Sequence, residues 1–403
     1  MSPPSEITMK IALLCSGLGT INRGHEVFAR EIFNLLKDQV EITLFKGSGE
    51  NLNNEIVVDN IGRNSELLSE MKLSVSPKWE SAVREEERMR IEGLTFAYSA
   101  LKHLLAGDFD VIHCLEQEVC NVIFENRHLF RHTPKILWSN GGALPKSAQP
   151  NCDFVQEHTE FNLQRSDRAK AFVIPHGVDL KRFHPGIPTD FRERHGIPKD
   201  AFVVISVGTI CYWHKRMDYV IREVALVPDA WLVIAGQESS DSPAIKALGE
   251  ELMAGRIVFT TMSHDQLPTA YAAADVFTLG SLFETFGIVY IEAMAMGLPV
   301  ISTNHPNQTS IIKFGTFVNM NKQGELAKVL AVNKRQELKK NCAAALNYAS
   351  NTYDFEILRE KYVFNYKSIS ESESETKTKT KTKHNLLLKR IISNINNFKK
   401  HII

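Results

Sequence analysis

Cysteine is sparse and unpatterned in this chain. Six are present, at positions 15, 114, 120, 152, 211 and 342, without C-x-x-C spacing. That excludes a disulfide scaffold and a zinc framework, and it points to a reducing compartment. An excess of either charge is also missing: 47 Lys and Arg balance 47 Asp and Glu. No overall basic field results, so nucleic acid is excluded as a partner. No run of eighteen apolar residues occurs, so a membrane-spanning helix is not expected. The first residues, Met-Ser-Pro-Pro-Ser-Glu, are polar and lead straight into the apolar run ending at Cys15. No secretory segment is expected before the fold, and the expected location is cytoplasmic.

At 403 residues the chain exceeds one ordinary core and suits two domains. Its most informative stretch runs from Asp275 to Asn304. A short apolar run at 276–279 is followed by turn chemistry at 280–287, a helix-length segment at 288–296, Gly297-Leu-Pro, and a second β-branched run at 300–302. That pattern predicts strand, loop, helix, strand. Glu292 sits in Ile-Val-Tyr-Ile-Glu-Ala-Met-Ala-Met, apolar on almost every face. A carboxylate there needs a partner, because an unpaired one costs several kcal/mol away from water. Glu284 belongs on the preceding loop, where it can face the same crevice. The N–H groups of Phe286, Gly287, Ile288 and Val289 then form a helix start that favours phosphate. Two carboxylates around such a start suit a ligand with both hydroxyls and phosphates. A solvated Glu284 and a salt-bridged core Glu292 would give the same pattern without a ligand.

The segment Ser-Leu-Phe-Glu-Thr-Phe-Gly-Ile-Val-Tyr-Ile-Glu-Ala-Met-Ala-Met-Gly-Leu-Pro-Val resembles the signature of the retaining glycosyltransferases of family GT4. The likeness spans roughly residues 9–368. It implies an α/β chain of the GT-B fold, two Rossmann-like domains facing a central cleft. The expected division is residues 1–186 on the acceptor side, 187–353 on the nucleotide-sugar side, and 354–369 as a helix crossing back onto the first domain. Gly and Pro at 177, 185, 186 and 188 support a boundary near 186 independently of the likeness.

In chain order, residues 11–15, the loop from Ser16 to Gly24, a helix at 25–36 and a strand at 40–45 open an α/β domain, with the loop at the carboxyl edge of a parallel sheet, where ligands bind. In the resembled family this loop lies against the donor diphosphate, and Arg23-Gly24-His25-Glu26 fits its pattern. Residues 47–87 are expected to be partly irregular, followed by a helix at 85–105 and a strand at 111–114. Asp108-Phe109-Asp110 reads as a turn entering that strand rather than a metal motif. A strand at 135–139 ends in Asn140-Gly141, where many members of the family have a histidine close to the reacting sugar; both residues are expected on the acceptor side. His176, where the family usually has Asn, is read as structural.

In the second domain, residues 202–207 predict a strand, 208–213 a loop and 215–227 a helix, placing Lys215 at a junction unfavourable for a cation unless an anion is near. The family has Gly-Arg followed five residues later by Lys, both on the leaving diphosphate. Here Thr209 takes the Arg position and Lys215 is kept, so Arg216 and His214 are the candidates for the missing charge. Further strands are expected at 231–235 and 256–260, and helices at 265–274, 324–332 and 334–350.

The resemblance implies that Glu284 binds hydroxyls of the transferred sugar and Glu292 those of the ribose. It implies sugar transfer from a nucleotide diphosphate to an acceptor hydroxyl with no metal and no cofactor. Lys215 and the amides of 287–289 would stabilise the departing diphosphate. A nucleotide-sugar epimerase of the same fold, and a donor-binding protein without turnover, remain as alternatives. Residues 370–383 are low in complexity and read as a linker. Residues 384–403 combine Leu, Ile and Phe with Lys and Arg and no acid, a composition suited to an anionic membrane surface, a partner helix, or disorder.

Overall fold

The computed structural model describes residues 9–21, 23–331 and 335–372. The tail at 384–403 and the linker from residue 373 onward lie outside the described residues.

Two parallel sheets organise the chain. The first has the order β3-β2-β1-β4-β5-β6-β7, with β1 at Lys10–Cys15, β2 at Glu41–Lys46, β3 at Glu55–Val57, β4 at Val111–Cys114, β5 at Lys135–Ser139, β6 at Phe154–Glu157 and β7 at Ala171–Val173. The second has the order β10-β9-β8-β11-β12-β13, with β8 at Phe202–Val207, β9 at Ala230–Ala235, β10 at Ile257–Thr260, β11 at Val276–Thr278, β12 at Val300–Thr303 and β13 at Thr316–Val318. Strand order reverses between β1 and β4 and between β8 and β11, so each sheet has its switch point where ligands bind in open α/β sheets. The central strands are mostly apolar because helices cover both faces: β8 is buried at every residue.

Several elements depart from the sequence expectation. The long helix of the first lobe runs Pro77–Gly107, starting well before residue 85, because Pro77 follows Ser76 and suits a first helical turn. The nominally irregular stretch before it contains β3, whose Glu55 is buried with Lys46 at 2.6 Å and Arg30 at 2.6 Å. The helix expected from 215 begins at Met217, because Arg216 adopts the left-handed conformation, φ 49°. Strand β6 and the helices Gln117–Glu125 and Ser242–Met253 were not anticipated. The Asp108-Phe109-Asp110 stretch is a turn: Asp108 caps the long helix at φ 53°, and the Asp110 carboxylate accepts Lys10 N–H at 2.8 Å. That places it at the amino edge of the sheet, opposite the ligand edge.

The chain passes between the lobes twice. Val178 N–H donates to Tyr353 O at 2.8 Å and Phe355 N–H to Val178 O at 3.3 Å, so the crossings run side by side. Val178 and Phe183 already pack in the core of the second lobe. The last helix, Phe355–Glu371, lays Leu358, Tyr362, Tyr366 and Ile369 into the core of the first lobe. A buried polar chain fastens it. His113 Nδ1 lies 2.7 Å from Tyr366 OH and its Nε2 2.7 Å from Ser139 Oγ. Ser139 Oγ donates to Gln156 Oε1 at 3.1 Å, and Gln156 Nε2 donates to Tyr362 OH at 2.8 Å. A closed network of this kind rigidifies only while every member is paired.

Across the lobes, Glu31 of the helix Gly24–Leu36 approaches His264 Nδ1 at 3.6 Å. Burial raises the Glu31 carboxyl to about 7, with Glu292 adding to the rise and His264 opposing it.

Two outcomes are expected. Tyr366→Phe leaves His113 without its Nδ1 partner in the core and should cost about 1–3 kcal/mol in chemical unfolding. For Glu31 the native state binds more protons than the unfolded chain, so its contribution to stability is lost as pH rises from the unfolded carboxyl value through about 7. Glu31→Gln should therefore raise the melting temperature at pH 8, corresponding to a gain on the order of 1 kcal/mol, and change it little at pH 5.

Candidate functional site

The carboxyl ends of both sheets face one cleft of about 440 Å³. Its second-lobe wall is built on two loops. The first leaves β8 at Gly208, φ 148°, where a Cβ would stand 3.1 Å from the Lys215 side chain. Only a glycine there lets Lys215 fold back over the strand end. Its Nζ reaches Glu284 Oε1 at 2.5 Å, and His214 Nε2 lies 3.5 Å from the same oxygen. Burial by itself would raise the Glu284 carboxyl; Lys215 and His214 overcome it and hold the group down at about 2.

The second loop follows β11 and carries Glu284 on non-helical backbone, as its place in the sequence suggested. Asn307 Nδ2 donates to Glu284 O at 2.7 Å and Thr285 O at 3.0 Å, and Asn162 Nδ2 of the first lobe donates to Thr285 O at 3.3 Å. The chain then turns at Gly287, φ 79°, into the helix Ile288–Ala295. A Cβ at Gly287 would also meet the Tyr290 ring at 2.7 Å. This abrupt start leaves the first helical N–H groups without intrahelical acceptors. Glu292, one turn in and 2 % exposed, accepts from Tyr271 OH at 2.8 Å and pairs with His264 Nε2 at 2.7 Å. Burial would lower the His264 pKa; the hydrogen bond and charge of Glu292 prevail and raise it. Among the described residues no Lys or Arg pairs with Glu292, and it opens onto the cleft.

Glu284, Lys215, Glu292, Phe286, Gly287, Ile288, Val289, Gly24, Thr209 and Gly141 all line this one cleft. Two residues expected there do not. Arg216 donates to Gly280 O at 3.2 Å and Met320 O at 2.9 Å and stacks 4.6 Å over Tyr219; its left-handed backbone turns the side chain away from the cleft. Of the two candidates for the missing charge, only His214 faces the cleft. Asn140 is spent on its own turn: its amide exchanges bonds with Leu144 N–H and O at 2.8 Å and donates to Glu157 at 2.8 Å.

His176, read from the sequence as structural, lines the cleft. Its ring stacks on His158 at 4.1 Å and lies 4.9 Å from Phe286. Burial pushes both imidazoles down, His158 to about 4 and His176 well below its ordinary value. Also missed were His25 with Glu116, His158, and His264 with Tyr271. All but Tyr271 follow the ends of strands or open the first helix, so position at the carboxyl edge was the available signal. Cys15, His25 and Glu116 present ligand-type atoms within 4.8 Å of one another. Burial, reinforced by Glu116 and Glu26, pushes the Cys15 thiol well up.

The wall of Lys215, His214 and helix-start amides suits an anion, while Glu284 and Glu292 can accept from hydroxyls. Residues 188–346 match the sequence profile of the family described as Glycosyl transferases group 1. A D-inositol 3-phosphate glycosyltransferase of Mycobacterium leprae is 37% identical over 147 residues, covering 35% of this chain and 34% of that protein. The chain thus matches about a third of the length of that curated relative. Among solved structures, a sucrose-phosphate synthase from Thermosynechococcus elongatus superposes with TM-score 0.71 at 19% identity, covering 90% of this chain and 99% of that one. Anabaena Alr3699/HepE, solved with UDP and glucose, gives 0.69 at 16%, covering 89% of this chain and all of its own. Residues 188–346 thus resemble the glycosyl transferases of group 1, and the two-lobed chain around them has the GT-B fold.

Proposed function

We propose that this protein is a retaining glycosyltransferase of family GT4 that moves a sugar from a nucleotide diphosphate to an acceptor hydroxyl without a metal. The observation that carries the reading is the meeting of Lys215, Glu284 and the start of the helix Ile288–Ala295 in one cleft with Glu292. The group 1 match supports it, as do the UDP and glucose bound to a structural neighbour.

The difficult step is departure of a diphosphate from the anomeric carbon, which places growing negative charge on phosphate oxygens. Preorganised donors aimed at that charge stabilise the transition state. Lys215 and the amides of Gly287, Ile288 and Val289 would supply them. Glu284 would accept from hydroxyls of the sugar, and Glu292 from the ribose, with Tyr271 and His264 fixing its two oxygens. Hydrolysis by paired carboxylates is a poorer use of the same residues. It needs one carboxyl protonated near neutrality, whereas Lys215 keeps Glu284 ionised.

A donor-binding protein without turnover is the second reading, favoured by Thr209 lining the cleft where the resembled family carries Arg. Incubation with a set of nucleotide sugars, UDP-glucose included, separates the two. Acceptor-dependent release of nucleoside diphosphate supports transfer. Binding with no turnover supports the second reading, and formation of an epimer without acceptor would replace both with epimerisation.

The expected variants follow. Glu292→Gln should weaken donor binding about tenfold in a thermal-shift titration, since a hydrogen bond to a charged group contributes about 1.5–3 kcal/mol. Lys215→Gln should lower kcat about a hundredfold with a smaller change in donor affinity. Unchanged kinetics in both would remove the assignment. Contact of residues 384–403 with an anionic membrane is proposed from composition alone. Deleting residues 373–403 should reduce flotation with vesicles containing phosphatidylserine while sparing turnover.

A further inference from the structure

On the first-lobe wall of the cleft stands a pair of residues to which no role has yet been given. His25 is the second residue of the helix Gly24–Leu36, and its ring lines the cleft. Its Nδ1 lies 3.9 Å from the place a Cβ on Gly141 would take, so it faces another lining residue and not the protein interior. On the other side of the ring, Nε2 is 3.3 Å from Glu116 Oε1. Glu116 follows β4, and the same oxygen accepts Ser16 N–H at 2.7 Å and Ser16 Oγ at 3.0 Å. The carboxylate is therefore fixed from the β1 end as well. Burial would raise it, yet the bonds from His25 and Ser16 hold it below the usual carboxylate range.

A carboxylate beside one ring nitrogen favours the tautomer of a neutral histidine that carries its proton there. Here the proton belongs on Nε2, which leaves the lone pair on Nδ1, directed at the cleft. Some of the other polar groups nearby are committed elsewhere. Glu26 pairs with Arg63 at 3.4 Å. Asn140 closes the turn at 140–144. His158 and His176 lie against each other, with His158 Nδ1 3.3 Å from Ile174 O; His158 Nε2 and His176 Nδ1 are buried without a hydrogen-bond partner. On the facing wall, Glu284 is held by Lys215 and Glu292 by His264 and Tyr271.

We infer that His25, oriented by Glu116, binds the acceptor by taking a hydrogen bond at Nδ1 from one of its hydroxyls, so that the acceptor is a polyhydroxylated molecule. The inference rests on the glycosyl-transfer reading and adds the acceptor's chemistry to it. The hydroxyl held by His25 is a neighbour of the one that reacts. In the transfer proposed above, the proton of the reacting hydroxyl would go to the departing phosphate oxygen, so a second hydroxyl is needed for the imidazole. Hydroxyl groups on adjacent carbons meet that requirement, as in a sugar or a cyclitol.

The groups facing His25 fix the sign of its pH dependence. Glu116 beyond β4 and Glu26 on its own helix favour the proton, Arg63 and burial oppose it, and the balance raises the pKa above the ordinary value. His158 and His176 face it as neutral rings, and Cys15 as a neutral thiol. Below that raised pKa Nδ1 carries a proton and cannot accept, so acceptor binding should weaken as pH falls through it. Removing Glu116 removes the largest force favouring the proton, so the weakening should begin at lower pH. His264 lines the same cleft with Glu31 against it, and the pKa of each is raised, which makes the difference between variants the readout rather than the native profile alone.

The test uses the full chain with UDP-glucose as donor and free hexoses, myo-inositol and D-inositol 3-phosphate as acceptors. Donor binding is followed by thermal shift with UDP. His25→Ala should raise the acceptor KM at least tenfold, with kcat and the UDP shift nearly unchanged. His25→Gln, whose amide oxygen accepts at any pH, should recover part of that loss and abolish the acid rise in KM. Glu116→Gln should move that rise to lower pH. An unchanged acceptor KM in His25→Ala, an acid rise that stays in place in Glu116→Gln, or acceptor binding that strengthens with acid would each overturn the inference while leaving transfer intact. A native chain that binds UDP but turns over none of these acceptors, alone or with other nucleotide sugars, overturns the transfer reading and this inference with it.

Discussion

The ion pair of Lys215 and Glu284 sets the terms for everything around it. The two charges come from loops at the ends of β8 and β11, adjacent strands at the reversal point of the second sheet, and both are largely out of water. Desolvating such a pair costs several kcal/mol per ion and is repaid only by close geometry and further hydrogen bonds. The chain supplies that geometry through backbone that ordinary residues resist. Gly208 lets Lys215 fold back, Arg216 reverses direction in the left-handed region, and Gly287 turns the other loop into a helix. Asn307 and Asn162 then hold the carbonyls of Glu284 and Thr285 from two lobes. Strain and burial concentrated at one edge of one sheet are what a preorganised site requires, and the rest of that sheet is plain apolar packing.

How much of this was legible in the sequence depended on whether the signal was local. The β-branched and apolar runs of β1, β4, β5, β8 and β12 announced themselves because buried parallel strands read as continuous hydrophobic segments. The loop position of Glu284, the helix start at Gly287 and the isolation of Glu292 among apolar neighbours were readable for the same reason. The partners of those acids were not. His264 and Tyr271 precede Glu292 by 28 and 21 residues, and nothing in Ser-His-Asp-Gln or Thr-Ala-Tyr-Ala marks them. Arg216 and Asn140 failed in the opposite sense. Each sits in a stretch where a functional role was inferred by position, and each spends its donors on nearby carbonyls, a choice that only backbone dihedrals decide. Strand β6 was hidden because its Gln156 and Glu157 are polar, and only the fold shows that the buried Gln156 belongs to the network under the last helix.

The two walls of the cleft differ in kind, and the difference orients whatever enters. On the second-lobe side the partners include a lysine, two histidines, helix-start amides and two carboxylates with assigned bonds. Much of the first-lobe side is Val27, Phe28, Leu115 and the stacked rings of His158 and His176. Those two rings behave as apolar surface, because burial drives their pKa values so low that neither carries charge near neutrality. A protonated pair at 4.1 Å would repel strongly in such a setting. An anionic group is thus directed towards Lys215, and the uncharged remainder towards the aromatic wall. Exceptions on that wall are Arg23, paired with Glu85 at 3.1 Å, Ser139 and His25.

The histidines also connect the site to the hinge. His264 binds Glu292 through one nitrogen and approaches Glu31 of the first lobe through the other, while His176 leads directly into the crossing segment at Val178. A ligand that gives a hydrogen bond to Glu292 alters the field at His264, and through it the contact with Glu31. The equilibrium between open and closed lobes can be biased only by a difference in interaction between those states, and this chain of three residues is a place where such a difference arises. The last helix ensures that the bias acts on whole lobes. Its polar network with His113 and Gln156 locks it to the first sheet, while its start at Asp354 is hydrogen-bonded beside Val178, so relative motion must be absorbed in the two adjacent crossings rather than spread through either core.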